Sequence, residues 1–237
     1  MDAPAACLFD LDGLLLDTEP LHSEAWMQAA RHFGLALTPD QLLALRGRRR
    51  FDCAEQVRQW IDAAGLGVPS LEALLAVRQP IAEVLLPQAL PMPGAPELLA
   101  RCQGQAIPMA LVTSSSRSAV AVKALPHPWL AAIALRVHGD DPELVAGKPE
   151  PDPYRLAARR LGVDPRSCWA FEDSLAGACS AAAAGCRVHV LLPRDRPAQD
   201  SMALAWPPGS YLVQSLAEIH FDARTPAGVR LSGQDCH

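Results

Sequence analysis

The chain has 237 residues, half of them hydrophobic and a fifth charged. That supplies a core for one large domain or two small ones and excludes global disorder. Its net charge of −5 gives no overall attraction for nucleic acid or an anionic membrane, and its 22 prolines exclude a long coiled coil.

Residues 5–12 read as a buried strand that ends in carboxylates. Helical patterns follow at 20–33, 51–64 and 70–86, with a weaker one at 39–46. Helix start signals stand at Thr38-Pro39-Asp40 and Ser70-Leu71-Glu72. The segment 86–96 carries Pro87, Pro91, Pro93, Pro96 and Gly94, which marks a boundary. Beyond it, strands and helices alternate: strand 107–113, helix 115–125, a short strand at 133–138, helix 152–161, strand 168–171, a small-residue helix 175–184 and strand 187–192. Residues 225–237 read as a loose tail. Such alternation implies an α/β fold, with a parallel sheet covered on both faces. The core would comprise residues 1–16 and 91–237, with a helical domain, residues 17–90, inserted after the first strand. No run approaches the roughly 20 apolar residues of a membrane-spanning helix. Residues 1–7 lack the basic stretch and apolar core of a secretory leader.

Seven cysteines, with no C-x-x-C pair, point to neither a zinc ribbon nor a redox motif. They read as reduced thiols of a cytoplasmic protein. Positive charge is lopsided: 19 arginines stand against only Lys123 and Lys148. A lysine retained in such a chain is either a chance survivor or a place where a compact point charge is needed.

Parallel sheets bind ligands beyond the carboxyl ends of their strands, so the residues there carry the candidate chemistry. The first strand runs into Asp10-Leu11-Asp12-Gly13, followed by Asp17, Thr18 and Glu19. Asp is poorly suited to a buried strand, and two at i and i+2 would share a face. They read as a helix or turn cap, a nucleophile with an acid/base partner, or a metal site. The next strand ends Thr113-Ser114-Ser115-Ser116-Arg117, a hydroxyl run that suits a helix N-cap and an anion alike. Lys148 lies in the proline-spaced loop Gly147-Lys148-Pro149-Glu150-Pro151-Asp152-Pro153-Tyr154. It is either an exposed loop lysine or a fixed ammonium that neutralises carboxylate and phosphate. A later strand ends Phe171-Glu172-Asp173-Ser174, where Asp173 is an N-cap or, with Asp10, a hard oxygen ligand for Mg²⁺.

The stretches FDLDGLLLDTEPLH, LVTSSSR, GKPEPDPY and FEDSLAG, in this order, resemble the haloacid dehalogenase superfamily, in its β-phosphoglucomutase-like and sugar phosphatase branch. The resemblance spans residues 7–192. It implies a Rossmann-like parallel sheet core with an inserted α-helical cap domain, and a Mg²⁺-dependent phosphatase acting through an aspartyl-phosphate. Asp10 would be the nucleophile and Asp12 the general acid/base. Gly13, Thr113, Ser114 and Lys148 would hold the phosphoryl group, Thr113 and Lys148 counting among the catalytic residues. Asp10, Asp12 (through its backbone carbonyl), Glu172 and Asp173 would surround the metal. From the cap, Glu19, His22, Gly47 and Arg50 would face a small phosphorylated metabolite, a sugar or polyol phosphate. Glu24 is a further candidate, whereas Trp26 reads as core. Arg46, Arg48, Arg49 and Arg50 form a basic run around Gly47, and it lacks the interleaved aromatics of a nucleic-acid patch. Neither nucleic acid nor membrane is expected as a partner; a monomer is expected, with a dimer as the alternative.

Two other functions compete. A phosphosugar mutase of the β-phosphoglucomutase type fits His22, but where such mutases carry a cap lysine this chain offers Arg78, Gln79 and Pro80. A catalytically silent binding protein on the same fold would have no chemical need for Asp10, Asp12, Thr113, Lys148 and Asp173 together.

Overall fold

A computed structural model of the chain describes residues 3–193, 202, 204–221 and 229–230. Six parallel strands form the sheet: β1 (Ala6–Phe9), β2 (Met109–Val112), β3 (Leu135–Val137), β4 (Cys168–Glu172), β5 (Arg187–Leu191) and β6 (Tyr211–Val213). Their order is β3-β2-β1-β4-β5-β6, with β7 (Val229–Arg230) antiparallel on the edge of β6. Successive side chains of a strand point to opposite faces. Phe9, Leu111 and Phe171 therefore enter one apolar layer, while Leu8, Val112 and Ala170 enter the other. The first layer is closed by α5 (Ala95–Gly104) and α6 (Arg117–Ala124). The second is closed by α7 (Asp152–Leu161) and α8 (Leu175–Ala184).

Register aligns Phe9, Phe171, His189 and Tyr211 across β1, β4, β5 and β6. Their rings lie face to face at centroid spacings of 4.9, 5.0 and 5.1 Å. Burial in this ladder, with the Arg187 guanidinium nearby, pushes the His189 imidazole down to about 3. The unfolded chain would take up a proton near pH 6.5 while the folded chain refuses it until about 3. Stability is therefore complete above 6.5 and falls as pH drops through that window. Between pH 7 and pH 5 this one group is expected to remove about 2 kcal/mol. Urea unfolding of wild type against His189→Phe at the two pH values checks it. The variant should lose that much less on acidification.

Between β1 and α5 lie four helices: α1 (Glu19–His32), α2 (Pro39–Leu45), α3 (Arg50–Ala63) and α4 (Leu71–Leu85). They bury their own apolar cluster, including Trp26, Leu45, Val57, Ile61 and Leu74. Thr38 and Gln41 form a reciprocal capping box at the start of α2, and Ser70 caps α4 through the Ala73 amide. The two connections to this layer run side by side. The Asp17 amide donates to the Leu90 carbonyl at 2.8 Å, and the Met92 amide to the Leu15 carbonyl at 2.9 Å.

Several sequence expectations need correction. β1 stops at Phe9 rather than residue 12, so Asp10 and Asp12 lie in a loop where strand alternation no longer places them on one face. α5 begins within the proline-rich segment, with Pro96 in its first turn, where its missing N–H costs no helical hydrogen bond. The sequence pattern had not signalled β6, a strand of three residues. Of the expected tail at 225–237, Val229–Arg230 pairs with β6; the remainder lies outside the described residues.

Candidate active site

β1, β2 and β4 deliver Asp10, Thr113 and Asp173 to one edge of the sheet, each as the residue directly after its strand. The Asp10 amide donates to the Phe171 carbonyl at 3.1 Å, which ties the first loop to β4. Lys148 comes from the loop before α7 and is only 2% exposed, so the exposed-loop reading fails. Its ammonium donates to Asp10 Oδ1 and to Glu172 Oε1, both at 2.5 Å. Tyr154 donates its hydroxyl to the same Glu172 oxygen at 2.5 Å and lays its ring 5.4 Å below the Lys148 ammonium. The other Glu172 oxygen accepts from Ser174 Oγ at 3.1 Å. Glu172 thus holds Lys148 against Asp10.

Helix capping falls to neighbours of the candidate residues. Ser174, not Asp173, caps α8 through the Gly177 amide. Ser116 caps α6 through the Ala119 amide, which leaves the earlier hydroxyls of the run for other work. Asp173 Oδ1 is buried with no hydrogen-bond partner. Asp10, Glu172 and Asp173 each offer a carboxylate oxygen, all within 4.8 Å of one another. An unpartnered buried oxygen among hard carboxylate donors fits a small divalent cation such as Mg²⁺.

Electrostatics point the same way. Burial pushes the Asp10 carboxyl up to about 7 against the pull of Lys148, with Glu172 and Asp12 adding to the rise. Burial, then Glu19 and Asp10, raise Asp173 well above the usual carboxylate range. Burial lifts Glu19 to about 8, although Arg46 lies 3.4 Å away. The cluster holds more negative charge than its own cations balance. Lys148 goes the other way: burial disfavours its ammonium, but Asp10 and Glu172 outweigh burial and raise it.

Gly13 follows Asp12 with φ +84°, and a Cβ there would fall 2.0 Å from Asp173 Oδ2. Only glycine lets the first loop lie against Asp173. Gly47, at φ +72°, does the same for the helical layer. A Cβ on it would meet Ser174 Oγ at 2.1 Å, and its carbonyl accepts from Ser114 Oγ at 2.7 Å. The α2–α3 loop is thereby seated on the carboxyl edge of the sheet. A cavity of about 500 Å³ remains between the layers, reached by Asp10, Asp12, His22, Arg50, Ser114 and Lys123 among others. A second cavity, of about 360 Å³, opens beside Gly13, Glu19 and Asp173.

Asp12 faces a different set of partners. Its Oδ1 accepts from Thr18 Oγ1 at 2.7 Å and its Oδ2 from Ser115 Oγ at 2.8 Å. Lys123 Nζ approaches both oxygens at 2.5 Å. Arg78 Nη2 meets His22 Nδ1 at 2.7 Å, and a guanidinium only donates, so Nδ1 accepts and Nε2 carries the proton. Nε2–H then points at Asp12 Oδ1, 3.3 Å away. Burial lowers the His22 pKa, in keeping with this neutral tautomer. Burial alone would raise Asp12, but Lys123 and His22 hold it well below the carboxylate range.

The structure therefore brings together Asp10, Lys148, Glu172 and Asp173 in one group, and Asp12 and His22 in a second. The Asp12 side chain stays outside the carboxylate cluster. Thr113 is buried, its hydroxyl accepting from the Ser115 amide at 3.1 Å. Glu19, His22, Gly47 and Arg50 all line the larger cavity. Arg50 also donates to Gln79 Oε1 at 2.8 Å and covers the Phe51 ring. Glu24 accepts instead from Gln28 on the exposed side of α1. Trp26 is buried as expected, with the Arg78 guanidinium over its ring. Sequence reasoning gave no role to Lys123, Ser115, Thr18 or Tyr154; for Lys123 the signal was its rarity.

A sequence profile of haloacid dehalogenase-like hydrolases matches residues 4–185. The chain is 36% identical over 196 residues to hexitol phosphatase A of Escherichia coli (strain K12), covering 80% of this chain and 84% of that one. It is 32% identical over 194 residues to (DL)-glycerol-3-phosphatase 1, mitochondrial, of Arabidopsis thaliana, covering 80% of this chain but 64% of that longer protein. The crystal structure of β-phosphoglucomutase from Clostridium difficile superposes with a TM-score of 0.75 over 92% of this chain and 94% of that one; at 18% identity the likeness is one of fold. With its strand-end aspartates, buried lysine and matching profile, the chain belongs to the haloacid dehalogenase-like hydrolases.

Proposed function

We propose that this protein is a Mg²⁺-dependent phosphatase that hydrolyses a small sugar or polyol phosphate through an aspartyl-phosphate, in the cytoplasm. The observation that carries the reading is Asp10, gripped by Lys148 beside the unpartnered oxygen of Asp173. Relatives named hexitol phosphatase A and (DL)-glycerol-3-phosphatase 1 support the substrate class. In this reading residues 1–16 and 91–237 form the catalytic core, and residues 17–90 form a cap over it.

Asp10, Asp173 and the backbone carbonyl of Asp12 would hold the metal, with Glu172 alongside. The ion's chemistry is to offset negative charge on Asp10 and the phosphoryl group. A carboxylate oxygen of Asp10 bonds to phosphorus as the bond to the ester oxygen breaks. Lys148 neutralises charge on Asp10 and on the phosphoryl oxygens, which Gly13, Thr113 and Ser114 help to position. Asp12 gives a proton to the departing alkoxide and later takes one from the water that cleaves the aspartyl-phosphate. A phosphoryl anion arriving next to Asp12 raises its proton affinity by like-charge repulsion, against the pull of Lys123. Glu19, His22, Gly47 and Arg50 face the alcohol part of the substrate, and the seated α2–α3 loop keeps bulk water from the intermediate.

Phosphate release from a panel of polyol and hexose phosphates tests this. Activity is expected with Mg²⁺, abolished by EDTA and restored by excess Mg²⁺. Isomerisation of a hexose 1-phosphate that outruns phosphate release would assign a mutase, and no release from any ester would remove the enzymatic reading.

A further inference from the structure

The 21 lysines and arginines of this chain include only two lysines, and both are buried, each against a different aspartate. Lys148 belongs to Asp10. Lys123, in the last turn of α6, is 1% exposed and belongs to Asp12. Its ammonium has three N–H groups. They are spent on Asp12 Oδ1 and Oδ2 at 2.5 Å each and on Ser115 Oγ at 2.8 Å. Ser115 in turn donates its hydroxyl hydrogen bond to Asp12 Oδ2 at 2.8 Å. The other donors to this carboxylate, Thr18 and the neutral His22, carry no charge. Lys123 is therefore the only full charge in direct contact with Asp12 among the described residues. A planar guanidinium could not set three donors on these three acceptors from one nitrogen, which accounts for lysine here in a chain that otherwise prefers arginine.

We propose that Lys123 is a positioning residue: with Ser115 it fixes the Asp12 carboxylate at the wall of the cavity, aimed at the oxygen that leaves phosphorus. This rests on the reading of Asp12 as the acid/base. The contact ties α6 to the loop after β1, and a purely structural tie would support every substrate alike. In kcat/KM, which reports only the transfer to Asp10 and not the later attack of water, a positioning role would show only where the leaving oxygen needs a proton.

The experiment measures kcat/KM, with Mg²⁺ present, for an alkyl phosphate such as glycerol phosphate and for 4-nitrophenyl phosphate, in wild type, Lys123→Met and Asp12→Asn. The alkoxide needs protonation, whereas the weakly basic nitrophenolate leaves without it. Lys123→Met is expected to lower the alkyl value by about 100-fold, and the aryl value by less than about 10-fold. Asp12→Asn should show the same split more strongly. Equal losses on both esters in Lys123→Met, or none, with the split kept in Asp12→Asn, overturn the role of Lys123 alone. Equal losses in Asp12→Asn overturn the acid/base reading, and the positioning role falls with it. Should Lys123→Met fail to fold, Lys123→Arg keeps the charge, and the same split is expected of it. Wild-type rates on both esters in that variant overturn the proposal.

Discussion

Asp10→Asn is expected to lower phosphate release by at least about 10⁴-fold while leaving the protein folded. The amide is nearly the same size and shape as the carboxylate, and its oxygen can still accept from Lys148. It has no anionic oxygen to attack phosphorus, so no aspartyl-phosphate forms. Stability should move the opposite way. Burial raises the Asp10 carboxyl to about 7, so holding it ionised near neutral pH opposes folding. The sign follows from linkage: a carboxyl raised in the folded state binds protons better there, and stability drains away as pH climbs from the unfolded value of about 3.9 to the folded one. Without added Mg²⁺, the variant is expected to melt above wild type at pH 8. Phosphate release and thermal melts read both outcomes. A variant that turns over near the wild-type rate would remove Asp10 as nucleophile.

Lys148→Met should be costly in both respects. The rate is expected to fall by about 10³-fold, because Asp10 and the phosphoryl oxygens lose their fixed ammonium. Stability should fall by about 3–5 kcal/mol, because two buried carboxylates lose their common partner. Both contacts are buried and direct, at 2.5 Å to Asp10 and 2.5 Å to Glu172. The double variant Lys148→Met/Glu172→Gln separates the two effects. Its neutral amide removes one of the stranded charges and should recover part of the lost stability, but none of the rate. Urea unfolding and kcat on one sugar phosphate suffice. Recovery of activity in the double variant would show that Lys148 acts through the balance of charge rather than on the phosphoryl group.

Local signals in the chain translated well where the signal was itself local. The limits of α7 and α8 agree with the sequence reading at both ends. Both helices stop at a left-handed glycine, Gly162 or Gly185, and such C-caps are written in the sequence. The order of strand ends, and with it Asp10 and Asp173, followed from hydrophobic runs broken by polar residues, whereas Lys148 stood out by the rarity of lysine and its proline-spaced loop. What did not translate was pairing at a distance. Asp10 and Asp12 looked like one pair two residues apart, yet each faces its own lysine, 138 and 111 positions along the chain. The partner of Asp12 depends on which face of α6 meets the loop after β1, and no short pattern records that. Tyr154 stood inside a recognised motif, but its hydroxyl finds Glu172 only once α7 is laid against the sheet. α5 escaped notice because Pro91, Pro93 and Pro96 together read as a break, although a proline in a helix's first turn is harmless.

Both lysines of the chain are spent inside, at 1% and 2% exposure, so the folded surface offers no side-chain amine. Acylating reagents, enzymatic acetylation, ubiquitin conjugation at ε-amines and aldehyde cross-linking therefore have no lysine to reach until the protein opens. At alkaline pH the outward positive charge rests on guanidinium groups alone, which stay protonated where an ammonium-coated protein would begin to discharge.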